Sequence, residues 1–289
     1  MRSSIWLTGS EGRLGTALLN VLKKNTDYKI VDTDMDVDIT DFDAVEHAID
    51  SYRPVIVINC ASVSSKDFCE ENRVEAFRVN ALGARNIAVA TRSKNAKLIH
   101  FSTDDVFSGV SYRAKNEFDQ PTPNTVYGQS KLAGENFVRE LNPKHLIVRS
   151  SWVYGLAKNV DENRSDFYYE VLEHGKKGEA FNVPINVIGT PTSATELARF
   201  FSRILHSNEY GLYHAACEGA CTRREFARAV LELNGFDPNL AVGVCVGDER
   251  SVVSTILENL MIKMTGVYEM KPWHEALKEF VAKEKEGGR

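Results

Sequence analysis

The chain has 289 residues, 43% of them hydrophobic and 26% charged, with a formal net charge of −5. That length supports a large buried core in one domain or two, and the acidic balance argues against a phosphate backbone or an anionic membrane surface as partner. The opening apolar run is too short for a signal peptide and no stretch approaches the roughly 20 apolar residues of a membrane span, which predicts a cytoplasmic protein that binds neither nucleic acid nor membrane.

The first predicted element is the strand SIWL, which runs into TGSEGRLG and then an amphipathic helix. Gly9, Gly12 and Gly15 stand there at three-residue intervals. A dinucleotide pyrophosphate needs such a junction: glycine permits the tight turn and the close backbone approach, and the free N–H groups of the helix N-terminus favour the anion. The second strand, YKIVD, ends in Asp32 about twenty residues on, where an acid can accept from the adenosine ribose and repel a 2′-phosphate. Asp34 in the same DTD turn is the alternative, and a merely solvated acidic loop is the plain one. An acid there favours NADH over NADPH. Asp38, in DIT, reads as an N-cap of the next helix.

From Ser4 to about Ser150, short apolar runs alternate with amphipathic ones. VIVIN and LIHF are apolar throughout, as central strands buried on both faces require; AVEHAIDSY, AFRVNALGARNIAVATRS and SKLAGENFVREL read as helices. This predicts an α/β fold, a Rossmann-type doubly wound parallel sheet that binds NAD(P). Beyond Gly155 the pattern loosens, and residues 156–289 are expected to form mainly a smaller substrate-binding lobe, with some segments returning to the 1–155 domain. A last helix is expected around Trp273 to Lys285. The five cysteines show no CxxC spacing and read as free thiols, and no metal site is expected. Cys217 and Cys221 would meet on a helix, but the intervening EGA is a loop signal.

The third strand ends in NCASVSS, whose small residues leave room for a cofactor across the strand ends, or simply end a strand. The fourth delivers Ser102 and Thr103 to the same edge. Tyr127 and Lys131, in VYGQSK, stand four apart and so on one helix face. An ammonium beside a phenol lowers the phenol's pKa, and Lys131 is long enough to hold the nicotinamide ribose. Thr103 can bond the substrate oxygen beside Tyr127, so that hydride reaches carbon while a proton reaches oxygen. Alone, YxxxK recurs by chance; its force comes from the order of glycine turn, serine-threonine strand end and tyrosine helix.

Together TGxxGxxG, NCAS, STDDVF, YGQSK and SWVYG resemble the extended short-chain dehydrogenase/reductase superfamily. Within it, FSTDDVFSG, VYGQSKLAGENFV, PKHLIVRSSWVYG, IGTPTSATELA and GLYHAA are most similar to the dTDP-4-dehydrorhamnose reductase family. The resemblance spans nearly the whole chain and implies a reductase of the 4-keto group of a nucleotide-activated deoxysugar, acting as monomer or homodimer with NADH or NADPH. It implies Gly12, Arg13 and Leu14 at the pyrophosphate, Asp32 at the ribose, Asp38 and Ile39 near adenine, Ser62, Val63 and Ser64 along the cofactor, and Phe101 on the nicotinamide side. Thr103 and Asp104 would contact the sugar, Tyr127 would donate the proton, Lys131 would position and polarise, and Trp152 would pack against the substrate. Arg250 is a candidate for the diphosphate, since a guanidinium grips phosphate in two-point fashion; within DER it equally balances its neighbours.

Four departures cluster on the substrate side. Asp105 replaces an aromatic residue, and would oppose an anionic substrate if it points into the pocket. Ile185, Asn186 and Val187 replace two acids and a glutamine that bridge a metal-linked dimer. Arg250-Ser251 replaces arginine-proline, and KNVDENRSDF lengthens the loop after WVYG. A related reductase or epimerase, or a silent regulatory subunit, is therefore the alternative.

Overall fold

The computed structural model describes residues 3–109, 113–158, 166–247 and 252–287. Arg250 and Ser251 lie outside the described residues, as do 159–165 of the lengthened loop. The chain begins β1 (Ser4–Thr8), α1 (Arg13–Asn25), β2 (Lys29–Thr33), α2 (Phe42–Tyr52), β3 (Pro54–Asn59), α3 (Lys66–Glu71), α4 (Arg73–Phe77), α5 (Ala84–Ser93), β4 (Lys97–Thr103), α6 (Val126–Leu141) and β5 (His145–Ser150). It continues with β6 (Val153–Tyr154), α7 (Phe167–Lys177), β7 (Phe181–Pro184), β8 (Val187–Gly189), β9 (Thr192–Ser193), α8 (Ala194–Ile204), β10 (Gly211–His214), β11 (Cys221–Thr222), α9 (Arg223–Asn234), β12 (Ala241–Val244), β13 (Val253–Ser254), α10 (Leu260–Thr265) and α11 (Trp273–Gly287).

Six strands form one sheet in the order β2-β1-β3-β4-β5-β10, and every neighbouring pair is parallel. The doubly wound α/β class is as expected. Leu14, Leu18 and Leu22 of α1 and Phe200, Phe201 and Ile204 of α8 cover one face. Val45 and Ile49 of α2, Ile87 of α5 and Val138 of α6 cover the other. With both faces covered, strands without polar alternation are stable, which is why VIVIN and LIHF read as they do. The chain winds outward from β1 to β2 on one side and to β3 on the other, and a sheet of this type opens a crevice at the carboxyl ends where the order reverses.

Both α8 and β10 come from beyond residue 155 yet complete this sheet. A second core joins Tyr154, Tyr168, Val171, Phe226, Leu231 and Phe280, drawn from β6, α7, α9 and α11. Among the described residues no helix is long and apolar enough to cross a membrane. The five cysteines are free, Cys217 and Cys221 both buried.

Two local expectations need correction. The run AFRVNALGARNIAVATRS is not one regular helix: Arg78–Gly83 is a π turn between α4 and α5, a distortion common at functional sites. It carries Asn80, whose side chain accepts from Val63 N and donates to Val63 O, each at 2.9 Å. Helix α2 is capped by Asp41, whose side chain accepts from Asp43 N and Ala44 N. Asp38 lies one turn earlier and accepts from Thr40 N and Oγ1 at 2.8 and 2.7 Å, because its own carboxylate closes a local turn before the helix begins.

Candidate active site

The carboxyl ends of β1, β3 and β4 deliver most of the expected residues to one edge. Gly12 is the N-cap residue of α1, with no side-chain cap and no acid in the first turn. The free N–H groups of that end therefore face outward with the helix dipole behind them, which suits a pyrophosphate. A Cβ on Gly15 would lie 2.2 Å from Gly9 O, so the turn closes only with glycine there. Leu14 is buried in the core. Arg13 pairs through Nε with Asp166 at 2.9 Å, tying the turn to the start of α7.

The two acids after β2 separate. Asp32 is exposed within β2, whereas Asp34 Oδ2 accepts from Glu11 N at 2.9 Å, directly on the glycine turn. Ile39 is buried against Gly83. Ser62 and Val63 are half-buried and Ser64 exposed in the loop after β3, which Asn80 holds by its hydrogen bonds to Val63.

At the end of β4, Thr103 caps a short 3-10 turn, Asp104–Val106, by accepting from Asp105 N. Helix α6 presses onto that turn: a Cβ on Gly128 would lie 2.1 Å from Asp105 O. That approach sets the neighbouring Tyr127 near Thr103, whose hydroxyl favours the ionised phenol. One helical turn on, Lys131 is buried with Nζ 2.6 Å from Phe101 O. Tyr127, Lys131, Thr103 and Phe101 thus converge as the sequence pattern requires.

The electrostatics differ from the expectation in one respect. The Tyr127 phenol is held well above its ordinary pKa, first by burial and then by the charges of Asp105 and Asp104, so the net shift is upward, against the lowering expected from Lys131. Burial brings the Lys131 ammonium down to about 8, against an upward pull from Glu135. Burial and then Asp105 raise Asp104 to about 6, while hydrogen bonds from Thr255 and Ser151 oppose them. The tyrosine is therefore a fully protonated donor.

Residues 1–286 match the family model described as the RmlD substrate binding domain. The chain belongs to that family. It is 32% identical to a dTDP-4-dehydrorhamnose reductase of Mycolicibacterium smegmatis, covering 98% of this chain and 86% of that protein. It is 31% identical to the spore coat polysaccharide biosynthesis protein SpsK of Bacillus subtilis, over 96% and 97% of the two chains. Among solved structures, dTDP-4-dehydrorhamnose reductase of Bacillus anthracis in complex with NADP superposes with a TM-score of 0.90 at 34% identity, covering 98% of this chain and 99% of that one.

In this member of the RmlD substrate binding domain family, Asp105 does point into the site. Thr103 Oγ1 lies 3.4 Å from its Oδ2, and Lys66 of α3 neutralises it through a 2.6 Å ion pair. Trp152 stands at φ +43°, and the guanidinium carbon of Arg223 lies 3.7 Å from its ring centroid. Among the described residues no group of three or more His, Cys, Asp and Glu could hold a metal.

Sequence reasoning missed Lys66, Glu135 and Arg223. Glu135 was within reach, since it stands four residues beyond Lys131 on the same helical face. For Arg223 the signal was weaker: a cation at the first position of a helix announced by the capping box Thr222 to Glu225, where the dipole disfavours it.

Proposed function

We propose that this protein is an NAD(P)H-dependent reductase of the 4-keto group of a nucleotide-activated deoxysugar, converting dTDP-4-dehydro-L-rhamnose to dTDP-L-rhamnose for polysaccharide synthesis. The observation that carries this reading is the meeting of a protonated Tyr127 near Thr103 with the buried Lys131, beside a glycine turn whose helix end is uncapped.

The reduced nicotinamide, when bound, supplies hydride to the carbonyl carbon. Thr103 and Tyr127 hold the ketone oxygen, and Tyr127 Oη releases its proton to that oxygen as the C=O bond becomes C–O–H. Lys131, fixed on Phe101 O, offsets the charge left on the phenol oxygen. Gly9, Gly12, Arg13, Leu14 and Gly15 form the pyrophosphate end, Ser62, Val63 and Ser64 the flank, and Asp38 and Ile39 the adenine side. We assign the ribose acid to Asp34 rather than Asp32, because Asp34 sits on the glycine turn. A carboxylate there repels a 2′-phosphate, which favours NADH. Residues 1–155 supply the cofactor half and most of 156–289 the substrate lobe, with Asp104 and Trp152 facing the sugar.

The test is to mix purified protein with dTDP-4-dehydro-L-rhamnose and NADH or NADPH and follow the reduced cofactor. Stoichiometric consumption is expected, falling about 10²- to 10⁴-fold in Tyr127→Phe with cofactor binding retained. Catalytic rather than stoichiometric use of cofactor would mark an epimerase. No consumption of any nucleotide 4-keto sugar, with cofactor bound, would overturn the enzymatic reading.

A further inference from the structure

The guanidinium of Arg223 is the charged group of the substrate cleft that the chemistry above leaves unused. It lies 3.7 Å from the Trp152 ring centroid and 5.0 Å from that of Phe167, so its plane is fixed by two aromatic side chains. Against the Trp152 indole also lies Gly189, at which an added Cβ would meet ring atoms 2.3 Å away. One face of the indole is thus covered by the arginine, and a sugar approaching it meets N–H groups. Among the described residues, the Arg223 side chain takes no hydrogen bond and no ion pair. Its surroundings are costly for a cation: burial lowers its pKa, while Asp104 and Asp105 pull it up. It also occupies the first position of α9, where the helix dipole disfavours positive charge. A side chain that breaks local preference and keeps its donors unspent against Trp152, within the field of Asp104, marks a binding contact.

Charge decides what it binds. Asp104 and Asp105 contribute two negative charges near Tyr127, and Lys66 and Arg223 contribute two positive ones. The charge of the Arg223 guanidinium is thus already met by Asp104 and Asp105, with Lys66 offsetting the latter, and it offers an anion little local attraction. The cleft does offer donors on Arg223 opposite an acceptor on Asp104, the pairing that suits an uncharged hydroxyl.

We propose that Arg223 is a substrate-binding, specificity-determining residue that donates hydrogen bonds to the sugar hydroxyl next to the reacting carbon, with Trp152 serving as its platform. This rests on the reductase reading for the identity of the sugar. The experiment measures binding of dTDP-L-rhamnose and of its 3-deoxy analogue by calorimetry, on protein saturated with oxidised cofactor, in wild type, Arg223→Lys and Arg223→Leu, with ketone turnover followed separately.

Wild type is expected to prefer the hydroxylated ligand about 10- to 150-fold, the range of a hydrogen bond to a charged group. Arg223→Leu should bind both ligands alike, and Arg223→Lys should keep only part of the preference because an ammonium lacks the fixed fork. A merely structural role would weaken both ligands equally in the variants and leave the preference intact, which overturns the proposal. Preference abolished by Arg223→Leu without turnover in wild type upholds Arg223 and removes the reductase. Turnover with an undiminished preference in Arg223→Leu does the reverse, and binding of neither ligand overturns both.

Discussion

Replacing Glu135 by glutamine should move the alkaline limit of catalysis downward. Glu135 is fully buried; its Oε1 accepts from Ser102 Oγ at 2.5 Å and Arg149 Nε at 2.8 Å, and its Oε2 from Arg149 Nη2 at 2.6 Å. It stands one helical turn beyond Lys131 and pulls that ammonium's pKa upward, against the burial that brings it to about 8. With the charges about 6–8 Å apart and an effective dielectric near 20, loss of one negative charge costs the ammonium roughly 2–3 kcal/mol, or about 1.5–2 pKa units. The Arg149 guanidinium stays behind in the variant and offers no relief. Lys131 acts as a cation, so its contribution is present below its pKa and lost above it. The alkaline limb of kcat/KM, set near pH 8 by Lys131 in wild type, should therefore shift acidward by more than one unit in Glu135→Gln. Stranding Arg149 also destabilises the fold by about 3–5 kcal/mol, and Glu135→Gln with Arg149→Met should restore stability and, by removing a cation together with the anion, bring the limb back part of the way toward wild type. A folded Glu135→Gln variant with an unmoved alkaline limb would refute the coupling.

Three further outcomes follow from the geometry. Asp34→Asn keeps an acceptor for Glu11 N but loses the charge, and should raise kcat/KM for NADPH about tenfold with little change for NADH; unchanged cofactor ratios would return the role to Asp32. Lys97 Nζ donates to Ile204 O, Leu205 O and Ser207 O at the end of α8, so Lys97→Met should cost about 3 kcal/mol in urea unfolding by orphaning buried carbonyls. His214 is held at about 3 by burial and then by Arg149, so between pH 6.5 and 3 the unfolded chain binds the extra proton and stability falls on acidification. Asp104, raised to about 6, opposes this between its ordinary value and 6; the urea midpoint should still decline more steeply below pH 6.5 in wild type than in His214→Gln.

What was legible in the sequence was what repeats along the chain or sits at fixed spacing. The doubly covered sheet announced itself because VIVIN and LIHF carry no polar alternation, and Tyr127 and Lys131 because a helix puts i and i+4 on one face. The π turn at Arg78–Gly83 was not legible, since its extra residue leaves the amphipathic pattern of the flanking helices intact. Asp38 misled because DIT and DFD are equally good caps, and only the backbone decides that Asp41 ends the loop. Arg223 was out of reach for a different reason: Trp152 lies 71 residues earlier, and only the packing of α9 against α7 and β8 brings the two rings and the cation together.

Asp105 shows how the parts that sequence reads singly act as a set. Read alone, an acid in place of an aromatic residue beside a pocket for an anionic nucleotide sugar is a liability. In the fold it arrives with Lys66 from α3 at 2.6 Å and Arg223 from α9 within its field, so the pocket's balance of charge is kept. Its remaining influence falls on Tyr127, whose proton it helps to retain. A reductase needs that proton in place when the ketone arrives, and an oxidation would need it gone. The substitution therefore keeps the phenol protonated until a ketone oxygen arrives, and leaves it a weaker acid that depends on Lys131 to stabilise the phenolate when the proton moves.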